Sequence, residues 1–302
     1  MIHVELSAAL VTLFEEQFLK PANELFESGK IGNPTDYDSD SVEAIAIRGE
    51  HRKTLINFGR GDFKNSVEGI KPEQLVDLYC YYYFQMHFSS SYAFYANQSG
   101  FLHLFVKDRN VLFIDIGCGP FTSGLAFNQW VARFAKSSNC KIDYFGADTS
   151  KSMLKKSADV IENIPDYFYN SGWASSDKNT LFAPEQKPTD EYLKNRVVII
   201  NFSYVFGSDT LTVPEMVEFT NKVVNQYCTA ANEKTFQCII LQQNPDYESL
   251  NKKWTDYKMQ LKQFTSAKGY PQLLYFSFDD LFGNFGADVP EFNVKCDVMV
   301  LK

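Results

Sequence analysis

Hydrophobic positions recur with two different periods along this chain, and the change falls near residue 106. Before it, Leu6, Leu10, Leu13, Phe14 and Phe18 repeat at three- and four-residue intervals, which places them on one helix face, with Pro21 kinking or ending that helix. The turn cluster Gly32-Asn33-Pro34-Thr35-Asp36 separates it from a second helix expected from about Ser41 to Phe58. Pro72 stands where a helix begins and opens a third segment, Glu73 to Asn97. Beyond Val106, short apolar runs alternate with amphipathic stretches, the mark of βαβ units and a parallel sheet.

Strands are predicted near 111–115, 142–147, 167–173, 197–202, 237–242, 273–278 and 293–301. Helices are predicted between them at about 122–137, 150–163, 214–229 and 247–265, and residues 175–192 read as a loop or inserted surface segment. Only Phe282 to Pro290 divides the last two strands, too little for a helix, so these two pair antiparallel. The expected fold is α/β: a Rossmann-like seven-stranded sheet, five parallel strands plus an antiparallel terminal pair, flanked by helices. An α-helical cap over 1–105 precedes this sheet domain over 106–302.

Composition supports a sizeable core, with 45% apolar and 16% aromatic residues in 302. The chain has no run of 18 apolar residues, and Met1-Ile-His-Val-Glu-Leu lacks the basic start of a secretory signal, so an intracellular, cytoplasmic location is expected. Six scattered cysteines without a Cys-x-x-Cys pair, and four dispersed histidines, point to buried thiols and to no metal. Residues 1–105 hold 8 Lys/Arg against 14 Asp/Glu, a balance that repels phosphate backbones and makes a nucleic-acid partner the less favoured one. The local exception is Arg48, Arg52, Lys53, Arg60 and Lys64, which reads as a solvated face ahead of a nucleic-acid patch.

The candidate chemistry begins at 111–124, where Val-Leu-Phe-Ile-Asp-Ile-Gly-Cys-Gly-Pro-Phe-Thr-Ser-Gly carries an apolar run into Asp115 and then into Gly117 and Gly119. Glycines at a strand-to-helix turn let the backbone approach a ligand closely. One βαβ unit on, Asp148 closes the next strand, where a carboxylate can accept bonds from vicinal ribose hydroxyls or act locally as a helix cap. A nicotinamide enzyme would place its third glycine at the position of Thr122.

On these motifs the chain resembles the class I S-adenosylmethionine-dependent methyltransferases over roughly 106–302. The resemblance implies S-adenosylmethionine as cofactor. It places Asp115, Gly117, Cys118, Gly119 and Pro120 against the methionine part, although Phe121 stands where many members have a third glycine. It further implies Asp148, Thr149 and Met153 from Asp-Thr-Ser-Lys-Ser-Met, Ser176 or Asp177 for the adenine, and Asn201, Phe202 and Ser203 at the end of the fourth strand. Asn201-Phe-Ser-Tyr204 matches the outer positions of Asn-Pro-Pro-Tyr, a lean toward amine methylation.

The aromatic segment 78–95 packs between the amino-terminal helices and the sheet, or offers Tyr82, Tyr83, His87 or Tyr92 to an acceptor pocket. Methyl transfer is an in-line displacement helped mainly by alignment and dehydration. Asn201 and Tyr204 are the candidate catalytic groups for an amine, and His87 the candidate base for a hydroxyl. The acceptor is expected to be a small molecule or a protein side chain. RNA methylation, and cofactor binding without methyl transfer, are the other readings.

Overall fold

A computed structural model describes residues 1–134, 140–164, 169–184, 189, 193, 196–208, 210–228, 237–285 and 287–302. The first of its strands is β1 (Ile2–Val4), followed by the helices α1 (Ala8–Phe14), α2 (Lys20–Glu27), α3 (Val42–Glu50), α4 (Pro72–Tyr79), α5 (Gln85–Asn97) and α6 (Ser99–Val106). The alternating part comprises β2 (Asn110–Ile116), α7 (Thr122–Phe134), β3 (Lys141–Ala147), α8 (Lys151–Glu162), β4 (Tyr169–Ser175), β5 (Arg196–Ser203), α9 (Val213–Tyr227) and β6 (Cys238–Asn244). The chain closes with α10 (Glu248–Gln260), β7 (Phe264–Ser266), β8 (Gln272–Phe278) and β9 (Glu291–Leu301).

One sheet holds all the described strands, in the order β1-β8-β9-β6-β5-β2-β3-β4, with β7 also on β9. Pairing is parallel from β4 through β6, and β9 runs antiparallel to both β6 and β8. Seven of the strands are the predicted ones. The sheet gains two more, β1 and β7, each three residues long. Period analysis passes over such short strands, because three residues show barely one alternation. Phe264 and Thr265 thereby leave the predicted 247–265 helix, which stops at Gln260, and Phe264–Ser266 pairs with Leu301, Val300 and Met299 instead.

The helical segments differ from expectation in a common way. Pro21 does not end its helix: the π-helical turn Glu15–Leu19 runs into α2 without a break, and the Gln17 carbonyl, which Pro21 cannot serve, accepts from Lys156 Nζ at 3.1 Å instead. A second π-turn, His51–Leu55, continues α3, and a third, Cys80–Phe84, joins α4 to α5. The tails of the predicted helices at 135–137 and 229, and residues 185–188 and 190–192 of the loop at 175–192, fall outside the described residues.

Buried residues alternate between the two faces of the sheet. Val111 and Phe113 face a core shared with the amino-terminal helices, α7 and α8, while Leu112, Ile114 and Ile116 face a second core under α9 and α10. Phe14, Phe18, Phe84 and Phe88 form an edge-to-face and stacked cluster that fixes α1 to the α4–α5 segment. Ile2–Val4 pairs in parallel with Phe276–Phe278, so residues 1–105 contribute a strand to the sheet as well as helices over it. Strand order reverses at β2, with β3 and β4 on one side and β5 and β6 on the other. The carboxyl ends of β2 and β5 therefore open a crevice at a topological switch point.

Candidate active site

The turn leaving β2 is built from left-handed backbone: φ is +68° at Gly117, +52° at Gly119 and +73° at Phe121. The amides of Gly117 and Cys118 both donate to the Ala147 carbonyl at the end of β3, at 2.7 and 3.1 Å. A Cβ on Gly117 would lie 2.6 Å from Val205 Cγ2, so the chain leaving β5 roofs this glycine. A Cβ on Gly119 would meet nothing within 4 Å, which leaves open space beside it. Phe121, where the resemblance places a third glycine, turns its ring into the first core, edge-on to Tyr144 at 4.8 Å. Gly124 receives that ring, since a Cβ there would stand 2.3 Å from Phe121 Cε2. Cys118 and Pro120 are buried within the turn.

Asp148 is both a cap and part of the site. One carboxylate oxygen accepts from the Gly119 amide at 3.0 Å and the other from the Ser150 amide at 2.8 Å. Burial raises its carboxyl above the ordinary range, and those two amides oppose the shift. Ser150 caps α8, accepting from the Met153 amide, and its hydroxyl donates to the Phe63 carbonyl at 3.0 Å. Thr149 is exposed beside it, and the Met153 side chain belongs to the first core. The end of β4 lies alongside, with the Asp148 amide on the Ser175 carbonyl at 3.2 Å. Ser176 and Asp177 follow and are exposed, Asp177 accepting from the Asn179 amide as a local cap.

Asp115 is 1% exposed. Its oxygens accept from Asn201 Nδ2 at 2.8 Å and from the Tyr144 hydroxyl at 3.3 Å, and burial pushes the carboxyl up to about 7 against those two bonds. Asn201 is wholly buried and spends its amide on Asp115 and Ser203, while Tyr95 donates to its carbonyl oxygen at 3.4 Å. Phe202 faces the other side of the sheet, where its ring packs on Phe206 and Tyr257, so that ring does not line the crevice. The alternation of a strand explains this: neighbouring residues cannot share a face.

The opposite wall comes from the helical region and the β5 end. Tyr204 takes a left-handed conformation, φ +63°, and stacks on His87 at 4.1 Å and 22°. His87 is also near-parallel to Tyr83, and its Nδ1 lies 3.1 Å from the Tyr79 hydroxyl. Burial lowers the His87 imidazole to about 3 and raises the Tyr204 phenol, so both are neutral at ordinary pH. Of the four aromatic candidates, Tyr83 and His87 join this wall. Tyr82 is buried on His51 at 2.9 Å and Tyr92 accepts from Arg133 at 3.3 Å, both away from Tyr204.

Three partners escaped the sequence reading: Tyr79, Tyr144 and Gln243. Gln242-Gln243-Asn244, a fully buried polar run ending the apolar strand β6, was the available signal for the last. The basic segment is in part not a solvated face. Arg48 is 8% exposed, and Arg52 donates to the Asn284 carbonyl at 2.8 Å and lies over the Tyr82 ring at 4.8 Å. Among the described residues no three His, Cys, Asp or Glu side chains group as a metal site, and no helix is long and apolar enough to cross a membrane.

No family model and no curated protein matches this chain. Among solved structures, it is similar to the YcgJ protein from Bacillus subtilis, with a TM-score of 0.39 at 13% identity, over 68% of this chain and 98% of that one. It is similar to magnesium protoporphyrin IX methyltransferase from Synechocystis PCC 6803, solved with bound S-adenosylmethionine, at TM-score 0.37 and 11% identity, over 88% of this chain and 98% of that one. A SAM-dependent methyltransferase from Leishmania major is similar at TM-score 0.37 and 11% identity, over 92% of this chain and 90% of that one.

Proposed function

We propose that this protein is an S-adenosylmethionine-dependent methyltransferase acting on a small-molecule or protein acceptor. The observation that carries the reading is the meeting of the Gly117–Gly119 turn with the Asp148 carboxylate at the β2/β5 switch point, in a sheet whose β9 is reversed between β6 and β8. A dinucleotide-binding sheet of the 3-2-1-4-5-6 type has no such reversed strand, which disfavours a nicotinamide cofactor.

The residues present suit an adenosyl sulfonium. The space beside Gly119 admits its methionine part, Asp148 has the acceptor oxygens for ribose hydroxyls, and Asp115 offers a carboxylate toward an ammonium. When bound, that cofactor supplies an electrophilic methyl group. The protein's part is alignment. Asn201 positions Asp115, and the neutral His87–Tyr204 pair presents ring faces that exclude water. An imidazole that stays neutral down to about pH 3 is a weak base, which favours an acceptor carrying a free lone pair over a hydroxyl that must be deprotonated. The engagement of Arg48 and Arg52 with carbonyls of the 283–284 turn weakens the RNA reading.

Calorimetry with S-adenosylmethionine, S-adenosylhomocysteine and NAD tests the cofactor; the first two are expected to bind and NAD is not. Transfer of a labelled methyl group into fractionated extract, insensitive to ribonuclease, is then expected. Absence of binding to either adenosyl compound overturns the proposal. Binding without transfer leaves a cofactor-binding protein that does not methylate.

A further inference from the structure

The buried polar groups above the sheet do not stop at Asn201. Ser203 Oγ accepts from Asn201 Nδ2 at 3.0 Å and from Gln243 Nε2 at 2.9 Å. Gln243 Nε2 also donates to Ser91, whose hydroxyl lies 3.1 Å from Ser123 Oγ in α7. Its carbonyl oxygen accepts from Ser90 Oγ at 3.0 Å, and that same Ser90 oxygen accepts from the Tyr204 hydroxyl at 2.6 Å. The backbone of Gln243 repeats the connection, its carbonyl accepting the Tyr204 amide at 2.9 Å. Gln243, Ser90 and Ser91 are at most 1% exposed. Gln243 thus grips Tyr204 twice, once by its main-chain carbonyl and once by its carboxamide through Ser90, and ties α5, the helix bearing His87, to the ends of β5 and β6.

We propose that Gln243 is the positioning residue of the acceptor side of the crevice: through Ser90 and Ser203 it fixes Tyr204, and with it the stacked His87, opposite the glycine turn. The name "acceptor side" rests on the methyltransferase reading; the positioning itself does not. Tyr204 needs such a hold, because a tyrosine at φ +63° sits in strained backbone, and the His87 face and the Ser90 hydroxyl set where its ring lies against the first core. Ser90 is a conduit of fixed polarity: its one proton goes to the Gln243 carbonyl, so it can only accept from Tyr204. A carboxamide suits the centre of this arrangement, since it accepts from one serine while donating to two others. A carboxylate could not donate, and an apolar side chain would leave Ser90, Ser91 and Ser203 without their partner.

The test uses the full-length protein with Gln243→Leu, Ser90→Ala and, for conservative rescue, Gln243→Asn. Proton NMR of the His87 ring reads its stacking on Tyr204 as an upfield ring-current shift and its burial as resistance to protonation. In Gln243→Leu and Ser90→Ala the ring-current shift is expected to collapse and the His87 titration to move up toward the ordinary histidine value. Affinity for S-adenosylhomocysteine should stay within about threefold of wild type, because the cofactor side keeps its own bonds. Gln243→Asn, with a shorter amide, is expected to recover part of the shift. If the variants keep their thermal transition while the His87 shift and titration stay at wild-type values, the proposal is overturned. It is also overturned if S-adenosylhomocysteine affinity and thermal stability fall together with the His87 signal, which would mark Gln243 as a general structural residue. Should wild type not bind S-adenosylhomocysteine at all, the methyltransferase reading fails alone, and the His87 signal still decides the positioning role.

Discussion

Asp115, held between Asn201 and Tyr144, has a folded-state value of about 7, well above that of a free aspartate. The native protein therefore keeps a proton that the unfolded chain releases above pH 4, and this contribution to stability is lost as pH rises through about 7. Asp115→Asn is expected to melt higher than wild type above pH 7, with the difference closing below about pH 4 in a thermal series. Function runs the other way. In the proposed role of Asp115 its ionised form holds the cofactor's ammonium, so wild-type affinity for S-adenosylhomocysteine should fall by up to about tenfold per unit as pH drops below about 7. Asp115→Asn should lose that dependence and bind about tenfold or more weakly at pH 8, which calorimetry in a pH series would detect.

Two glycines can be tested at the same scale. Gly117→Ala meets both a left-handed φ and Val205 at 2.6 Å, and should cost about 1–3 kcal/mol in denaturant unfolding. Gly124→Ala strikes the buried Phe121 ring at 2.3 Å and should cost a similar amount, about 1–3 kcal/mol, although its own backbone is ordinary helix. The methyltransferase motif that this turn resembles puts a glycine where Phe121 stands. Here the ring is accommodated three residues on, a compensation that a reading limited to the motif positions overlooks.

Among the elements, the segment between the second π-turn and α4 stands out: Asn57, Phe58, Phe63 and Glu68 all have positive φ within twelve residues. It reaches the candidate site through the bond from Ser150 Oγ to the Phe63 carbonyl and through the Phe63 ring, edge-on to Tyr79. Ser150→Ala removes that bond and the α8 cap together, at about 1 kcal/mol. Faster amide exchange is expected across 57–70, with little change in α5; equal protection in variant and wild type would show that the segment is held elsewhere. The long strands and the antiparallel run of the last two were legible because each apolar run was bounded by turn signals. The π-turns were not, since a one-residue widening shifts the hydrophobic phase without abolishing it, and the three-residue strands β1 and β7 carry too little pattern. Asp115, Gly117, Gly119 and Asp148 could be read from local spacing. Gln243 and Tyr144 could not, because their partners lie 29 to 153 residues away and only the fold brings them together; Tyr79 meets His87 eight residues on, but its aromatic neighbours give it no distinguishing pattern.

For the whole molecule, cofactor binding should register as stability. At S-adenosylhomocysteine concentrations about a hundredfold above its Kd, the native state gains about 2.7 kcal/mol, enough to raise Tm by several degrees. No rise, with binding seen by calorimetry, would mean that the unfolded chain binds equally well. The charge asymmetry was legible as a number, but not the engagement of Arg48 and Arg52 by carbonyls more than 230 residues away. That engagement, like the first core, joins residues 1–105 to the sheet.

The parallel pairing of Ile2–Val4 with Phe276–Phe278 bears on biosynthesis. A ribosome makes Ile2–Val4 long before the strand they bond to, which lies 274 residues further along. Until then those early residues have no ladder to join, and this rank of the sheet is assembled late.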